Sequence, residues 1–423
     1  MSTTDAAPVQ HAPAENVRPW LTLWLLSAGH AVNHAQAALL PLVYLAIIVE
    51  FEVGVAAVAF LAAIGNISAG SLQIAYGWLT RLFSRRSIMA VGGLVFGGGM
   101  AAQALAPGFA AFAAANVVSR VGGSPQHPVG NGLLSEQFPP HRRGFAIAAH
   151  IAGGNLGTVA VPLVGLALIE AIGWRWTVVL FGLPAIVVAL AIWRLIGESG
   201  VDRAAARAYG SVRSAYAAVL RDRDLLLVYA SAVLGGGGRG LGVLNVFVPI
   251  YLSIGLGLDT PTVGLMYAVL VVGSVPGPIV AGWLSDRLGR RLLIVATYLA
   301  GAASLALFVL AGADLPMLWL AIVLMSIFNF VESPQLQALL ADIASRDLRD
   351  AAFAAYFTLA FGIGSLWVLL YGAVIEGLGE TAGLPLTFWL MALAFVAAAM
   401  AVLPIRVRER LAGAKAADAG HAS

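Results

Sequence analysis

The chain has 423 residues, of which 60% are hydrophobic and 11% charged, with a formal net charge of +3 and a mean hydropathy of +0.89. A soluble domain carries about 25% charged residues, so this composition cannot cover a globule with polar surface and calls for a lipid solvent. There is no cysteine, which excludes disulfides and thiolate metal sites.

Residues 1–19 are polar and weakly charged and are expected to be a cytoplasmic tail. A cleavable signal is not expected, because the apolar segment that follows is too long and has no small-residue cleavage site. Twelve apolar segments then follow in chain order, at 20–49, 54–79, 87–107, 109–135, 144–169, 174–195, 225–257, 262–284, 291–312, 315–341, 351–375 and 384–405. A helix needs about 20 residues to cross ~30 Å of hydrocarbon, so each is read as a transmembrane helix. The expected fold is an all-α membrane protein of 12 transmembrane helices. Its domains are an N-terminal bundle (20–196), a polar linker (197–224), a C-terminal bundle (225–406) and a tail (407–423).

Within the seventh segment, "AVLGGGGRGLGVLNVF" places Gly235, Gly237 and Gly240 in a G-x-G-x-x-G pattern, with Asp259 about 20 residues on. A dinucleotide site needs a strand before the glycines, whereas Arg239 is the only charge between Leu225 and Leu258. The stretch is therefore read as membrane span, its glycines allowing close helix approach or local bending.

All but three of the 24 Lys+Arg residues (Arg120, Arg175 and Arg239) fall in the termini, the linker or the loops of one side. The opposite loops carry Glu50, Glu52, Glu170, Asp259, Asp314, Glu376 and Glu380. The positive-inside rule then puts both termini in the cytoplasm, and the basic balance points to membrane orientation and not to nucleic acid.

"GWLTRLFSRR" (Gly77 to Arg86) after the second span is echoed by "GWLSDRLGRR" (Gly282 to Arg291) after the eighth. Equivalent loops six spans apart indicate an internal duplication, hence two six-helix halves. The second copy resembles the signature loop of the major facilitator superfamily, matching at Gly282, Leu284, Ser285, Asp286, Arg287, Gly289, Arg290 and Arg291. That resemblance implies a 6+6 carrier in which Gly282, Asp286, Arg287, Gly289 and Arg290 latch helices in one access state. The first copy departs from it, with Arg81 where the acid belongs and Ser84 in place of the glycine. "GHAVNHAQAALLP" (Gly29 to Pro41), "GGSPQHPVG" (Gly122 to Gly130), "GGNLGTVAVPLVG" (Gly153 to Gly165) and "FVPIYL" (Phe247 to Leu252) resemble the fosmidomycin-resistance-type branch. That branch implies a drug or organic-anion carrier working by export.

Charges at membrane depth cost ~2.5–3.5 kcal/mol on insertion scales and so mark function. Here they are Arg120, Arg239 and Glu332, joined by His30, His34, His127 and His150. All but His150 fall on spans 1, 4, 7 and 10, equivalent positions in a three-plus-three repeat, which points to one central cavity. Arg239 is ~22 Å and Arg120 ~18 Å from their span starts at 1.5 Å per residue, both near mid-membrane. Two unpaired guanidinium groups there would clamp a carboxylate or phosphate. Arg120 also has a structural reading, paired through Glu332, and "RVGG" (Arg120 to Gly123) resembles the superfamily motif discussed for proton coupling.

Arg120, Ser124, His127 and Asn131 fall at i, i+4, i+7 and i+11, a single polar stripe facing protein or water. His30 and His34 share metal-ligand spacing, but no third ligand lies near them in sequence, so no metal is expected and hydrogen bonding, substrate contact or proton transfer is. Glu332 in "FNFVESPQLQ" is the leading proton-coupling candidate, ahead of His34 and His127; the competing reading is a static ion pair with Arg239 or Arg120. Arg239, Arg120, His30, Asn33, His34, His127 and Asn329 are the candidate substrate contacts.

The expected function is a secondary carrier, a monomer in the cell (inner) membrane, exporting a small organic anion or drug in exchange for protons. The alternative is uptake of an organic anion such as a carboxylate by proton symport. An enzyme is not expected, because H-E-x-x-H and G-x-S-x-G are both missing, and no cofactor is implied. A non-transport membrane protein would need a soluble domain for which the loops leave no room.

Overall fold

A computed structural model describes residues 17–138, 140–197, 212–344 and 348–406. Both tails and most of the central linker, with Arg203 and Arg207, lie outside the described residues. The described chain is helical: α1 (Pro19–Glu50), α2 (Val55–Leu82), α3 (Arg85–Gln103), α4 (Phe109–Gly123), α5 (Pro128–Gln137) and α6 (Pro140–Leu195). There follow α7 (Val212–Val219), α8 (Arg223–Gly235), α9 (Asn245–Ile250), α10 (Thr260–Val272), α11 (Pro276–Leu288) and α12 (Arg290–Ala311). The last four are α13 (Leu315–Phe328), α14 (Glu332–Ile343), α15 (Arg349–Phe357) and α16 (Leu366–Val402).

Local chemistry sets many of these starts. Asp222, Asp259 and Asp314 stand just before α8, α10 and α13, and each carboxylate accepts from a backbone N–H of the first turn, Leu225, Thr262 and Met317 among them. An acid there satisfies a donor that the helix leaves orphaned and complements the positive end of its dipole. Short connections collapse to single residues: α6 and α16 each change direction at one glycine, Gly173 (φ 76°) and Gly379 (φ 73°).

Eight helical stretches among the described residues are long and apolar enough to cross a bilayer. Their outer faces carry bare aromatic and aliphatic side chains, with Trp24 71% and Ile279 70% exposed. A surface of this kind is at home in hydrocarbon, and the protein is a multi-pass membrane protein.

Five of the expected continuous spans are corrected by the structure, among them the eighth, which breaks at Gly273–Val275 between α10 and α11. The fourth breaks at Ser124–Gln126, between α4 and α5. The seventh leaves helical geometry after Gly235 and passes through a wide turn at Gly240–Leu244 before α9. The tenth breaks between Phe328 and Glu332, and the eleventh contains a wide turn at Thr358–Gly362. Glycine, proline and buried polar side chains concentrate at these places, and hydropathy averages over them.

Packing divides the chain. α1 and α3 lie along α6, and α2 and α3 along α4; later in the chain α12 packs on α13 and α16, and α16 on α8. The two groups meet where α2 runs along α16 and α10 along α6. Tyr267 donates to the carbonyl of Ala38 at 3.3 Å and Asn155 to that of Ser274 at 3.0 Å across this junction. At Gly70 the backbones approach so closely that a Cβ would stand 2.9 Å from the nitrogen of Gly362. In lipid, small residues at such crossings and buried interhelical hydrogen bonds replace the hydrophobic drive available in water.

Candidate functional site: a cavity beside broken helices

The break after α8 begins with four consecutive glycines, Gly235 to Gly238, followed by Arg239 in extended conformation (φ −68°, ψ 135°). A backbone freed from helical pairing at membrane depth must find other partners. Here it does. Trp367 Nε1 donates to the carbonyl of Val233 at 2.8 Å and the Tyr371 hydroxyl to that of Gly237 at 2.7 Å. Asn329 Nδ2 donates to the carbonyl of Gly238 at 3.2 Å, while its own carbonyl accepts from the Gly240 N–H at 2.7 Å. Asn329 lies in the break between α13 and α14, so the two broken spans hold one another.

This arrangement brings Arg239 to the first residue of α14. Its Nε donates to Glu332 Oε1 at 2.7 Å, Nη1 to the carbonyl of Ala360 at 3.3 Å and Nη2 to that of Ala232 at 3.0 Å. The guanidinium carbon stands 5.1 Å from the Phe361 ring centroid, within cation–π range. Arg239 is 5% exposed and Glu332 fully buried, and among the described residues Glu332 Oε2 has no hydrogen-bond partner. The expectation of two unpaired guanidinium groups is therefore corrected for Arg239, whose charge is met by a carboxylate.

Arg120 differs. It is partly buried in the last turn of α4, its Nη2 donates to Asn66 Oδ1 of α2, and among the described residues no carboxylate pairs with it. A cavity of about 180 Å³ opens between the two guanidinium groups, lined also by Asn33, Gln36, Asn66, His127 and Phe361. Of the expected stripe, Arg120, Ser124 and His127 line this cavity and Asn131, beyond the break, does not. Of the other expected substrate contacts, Asn33 lines it, donating from Nδ2 to the carbonyl of Gly123 at 3.1 Å. His30, His34 and Asn329 are not on its wall: Asn329 braces the backbone, and the two histidines pack behind His127.

Asn66, Gln36, Gln73 and Phe361 line the cavity without having been singled out in the sequence. Asn66 and Gln73 interrupt the second apolar run just as Arg120 interrupts the fourth, so the membrane-depth rule applied to uncharged amides would have found them.

Away from the cavity, the loop of Gly282 to Arg291 is tied down at several points. Gly289, at φ 92°, makes the turn between α11 and α12, a conformation side chains resist. Arg290 pairs with Asp342 near the end of α14 and donates to Ser285 Oγ at 3.2 Å. Arg287 lies over the Trp283 ring at 3.6 Å. The side chain of Asp286 lies outside the described ones. Arg291 donates to the carbonyls of Leu403 and Ile405, each at 3.2 Å, just past α16. In the first copy Arg86 does the same for the carbonyl of Ile196 past α6, at 3.2 Å. Equivalent arginines thus cap equivalent helix ends, a structural echo of the repeated sequence.

Comparison with known proteins agrees with this architecture. A bacterial homologue of the human lysosomal transporter Spinster, solved in an inward-facing and occupied conformation, superposes with a TM-score of 0.71 over 90% of this chain and 95% of that one, at 17% identity. The niacin transporter NiaP of Acinetobacter baylyi is 26% identical over 69% of this chain and 72% of its own length. A chloramphenicol resistance protein of Streptomyces lividans is 28% identical over 78% of this chain and 81% of its own length. The uncharacterized MFS-type transporter Rv1250 of Mycobacterium tuberculosis is 25% identical over 37% of this chain, which spans only 27% of that relative. The family profile described as Major Facilitator Superfamily matches residues 26–368 and again 238–422, so the chain belongs to that superfamily and is a secondary transporter, not an enzyme.

Proposed function

We propose that this protein is a proton-coupled carrier of a small organic anion, built as two six-helix halves with both termini in the cytoplasm. The observation that carries the reading is the inequality of the two arginines on one cavity: Arg120 without a carboxylate partner among the described residues, Arg239 held by Glu332. Arg120 is an anion contact already available, with Asn33 and His127 beside it. Arg239 becomes a second contact only when Glu332 lets go.

The release step couples the proton. A carboxylate that accepts a proton loses its charge attraction for the guanidinium, and the freed Nε–H of Arg239 then meets the substrate's anionic group. Conversely, an anion that takes Arg239 leaves Glu332 buried without a counter-charge, a state that favours protonation. Proton and anion thereby bind together, which supports symport, the uptake alternative read from the sequence. Similarity to a transporter named for niacin, a pyridine carboxylate, supports the same substrate class. Export remains the second reading, favoured by the resemblance to the drug and organic-anion branch and by similarity to a chloramphenicol resistance protein.

Reconstitution in vesicles with an internal pH dye tests this. Niacin and a panel of carboxylates, phosphonates and cationic drugs are offered with and without an imposed proton gradient. Carboxylate-dependent proton entry that is lost in Arg120→Gln and survives in Arg175→Gln, whose arginine pairs with Glu50 away from the cavity, is expected. Flux of cationic drugs alone, or anion flux without proton movement, overturns the reading; anion entry accompanied by proton exit selects export.

A further inference from the structure

Four histidines meet behind the cavity wall. His30 and His34, one turn apart on α1, have ring centroids 4.4 Å apart; His127, at the break between α4 and α5, lies 4.7 Å from His30. The nitrogens of His30, His34 and His127 come within 4.8 Å of one another. His150 of α6 stacks on His30 at 4.4 Å but stands outside that set. The group contains no carboxylate. α1 and the α4–α5 break are far apart in sequence, so the third imidazole missing beside His30 and His34 is supplied only by folding.

The hydrogen bonds orient these rings as a metal site would. Nδ1 of His30 lies 2.9 Å from the carbonyl oxygen of His150, which can only accept, so Nδ1 carries the proton and Nε2 presents its lone pair. Nε2 is buried and, among the described residues, has no hydrogen-bond partner. Nδ1 of His34 is 3.1 Å from Thr158 Oγ1, a hydroxyl that can accept from Nδ1–H, and in that tautomer Nε2 presents its lone pair to the cluster. A histidine that ligates a metal through one nitrogen and hydrogen-bonds a carbonyl or hydroxyl through the other is the usual arrangement, because the outer bond fixes tautomer and ring angle.

A second line comes from the repeat. His34 and His127 stand 205 residues before Arg239 and Glu332, the same spacing that separates the repeated loops at Gly77 and Gly282. One half of the molecule thus fills this pair of positions with a buried ion pair. The other fills them with two imidazoles and adds a third. An unsatisfied polar cluster in that place invites the charge that its counterpart already contains.

We infer that His30, His34 and His127 form a three-imidazole site for a borderline divalent transition ion of the Zn²⁺ class, with its fourth position open to the central cavity. Imidazole nitrogens bind such ions at ~2.0–2.1 Å, and three of them with one open position make a stable set for Zn²⁺, Co²⁺, Ni²⁺ or Cu²⁺. Around one ion at that distance the nitrogens stand about 3.3 Å apart, so the set, now within 4.8 Å, draws together on binding. His127 faces the cavity, so water or a carboxylate completes the coordination. An ion there joins α1 to the break beside Arg120 and stiffens one wall of the cavity. The inference is independent of the carrier reading, because it is tested by binding.

The experiment uses the full-length protein in lipid nanodiscs without a polyhistidine tag, titrated with Co²⁺ and then Zn²⁺. One equivalent of Co²⁺ is expected to give the intense visible bands of a four-coordinate nitrogen-rich site, displaced by one equivalent of Zn²⁺. His34→Gln and His127→Gln are expected to abolish the bands, and His150→Gln to keep them. Thr158→Val, which removes only the outer bond to His34, is expected to weaken binding about tenfold. Absence of the bands in the unsubstituted protein rejects the site, whatever the folding of the variants. Bands that persist in both His34→Gln and His127→Gln, or that need His150 as much as these, reject the three-imidazole assignment.

Discussion

Arg239 and Glu332 are 93 residues apart in sequence and 2.7 Å apart in space, each at the place where its own span stops being helical. The pair is buried on both sides, and the arginine adds two backbone carbonyls and an aromatic face to the carboxylate. Such a pair is costly to break and less costly to replace, because removing one partner strands the other charge in a low-dielectric interior.

Substitution of one partner alone is accordingly expected to destabilise more than substitution of both. Arg239→Met or Glu332→Leu should cost about 3–5 kcal/mol, and the double variant appreciably less than the sum. Thermal unfolding of the purified variants in one detergent checks this. Additive losses would mean that the two charges are not coupled.

Arg120 should behave in the opposite way. Its described polar partner is the amide of Asn66, so Arg120→Gln is expected to leave the unfolding temperature nearly unchanged. A charge-assisted hydrogen bond to substrate is worth about 1.5–3 kcal/mol, which predicts a rise in KM of about 10- to 150-fold for an anionic substrate. Arg120→Lys, retaining charge without the bidentate geometry, should fall between. Transport kinetics on the variants decide, and an unchanged KM would remove Arg120 from the substrate site.

Asn329→Ala should loosen both broken helices at once. It deletes the side-chain bond to Gly238 and the bond accepted from Ser304 at 3.1 Å, leaving buried groups unpaired. A loss of about 1–3 kcal/mol for each stranded group is expected, read as a lower unfolding temperature and as faster amide exchange around Gly236–Gly240. Exchange confined to the far ends of α13 and α14 would contradict the bracing role.

Gly289→Ala tests the loop between α11 and α12. With φ at 92° an added side chain is strained, and a cost of about 1–3 kcal/mol is expected. Asp342→Asn should break the ion pair with Arg290 at smaller cost, since that pair is only partly buried. If the loop restrains one access state, both variants shift the accessibility of cavity cysteines introduced at Asn33 and Ser365. Equal labelling in parent and variants would limit the loop to a structural anchor.

Much of this was legible before any coordinates. Long apolar runs reveal a membrane protein because the cost of a charge in hydrocarbon is paid residue by residue, and composition therefore records it directly. The similar loops at Gly77 and Gly282 are legible in the same way, as one local pattern written twice. Arg120, His127 and Asn33 were picked out as polar residues at membrane depth, and they do line one cavity. The reach of that rule ended at the helix breaks, since a glycine run or an Asn-Phe-Val-Glu stretch is compatible with a straight helix until its backbone finds other partners.

Sequence by itself determined the lipid solvent, the superfamily and the short roster of polar residues from which any site must be drawn. Tertiary structure alone decided which of them meet: that Glu332 takes Arg239 and not Arg120, that Asn329 serves the backbone, and that His127 joins His30 and His34. The physical reason is range. Hydropathy and capping act within a few residues, whereas ion pairs and ligand sets depend on where broken helices from distant parts of the chain are packed against one another.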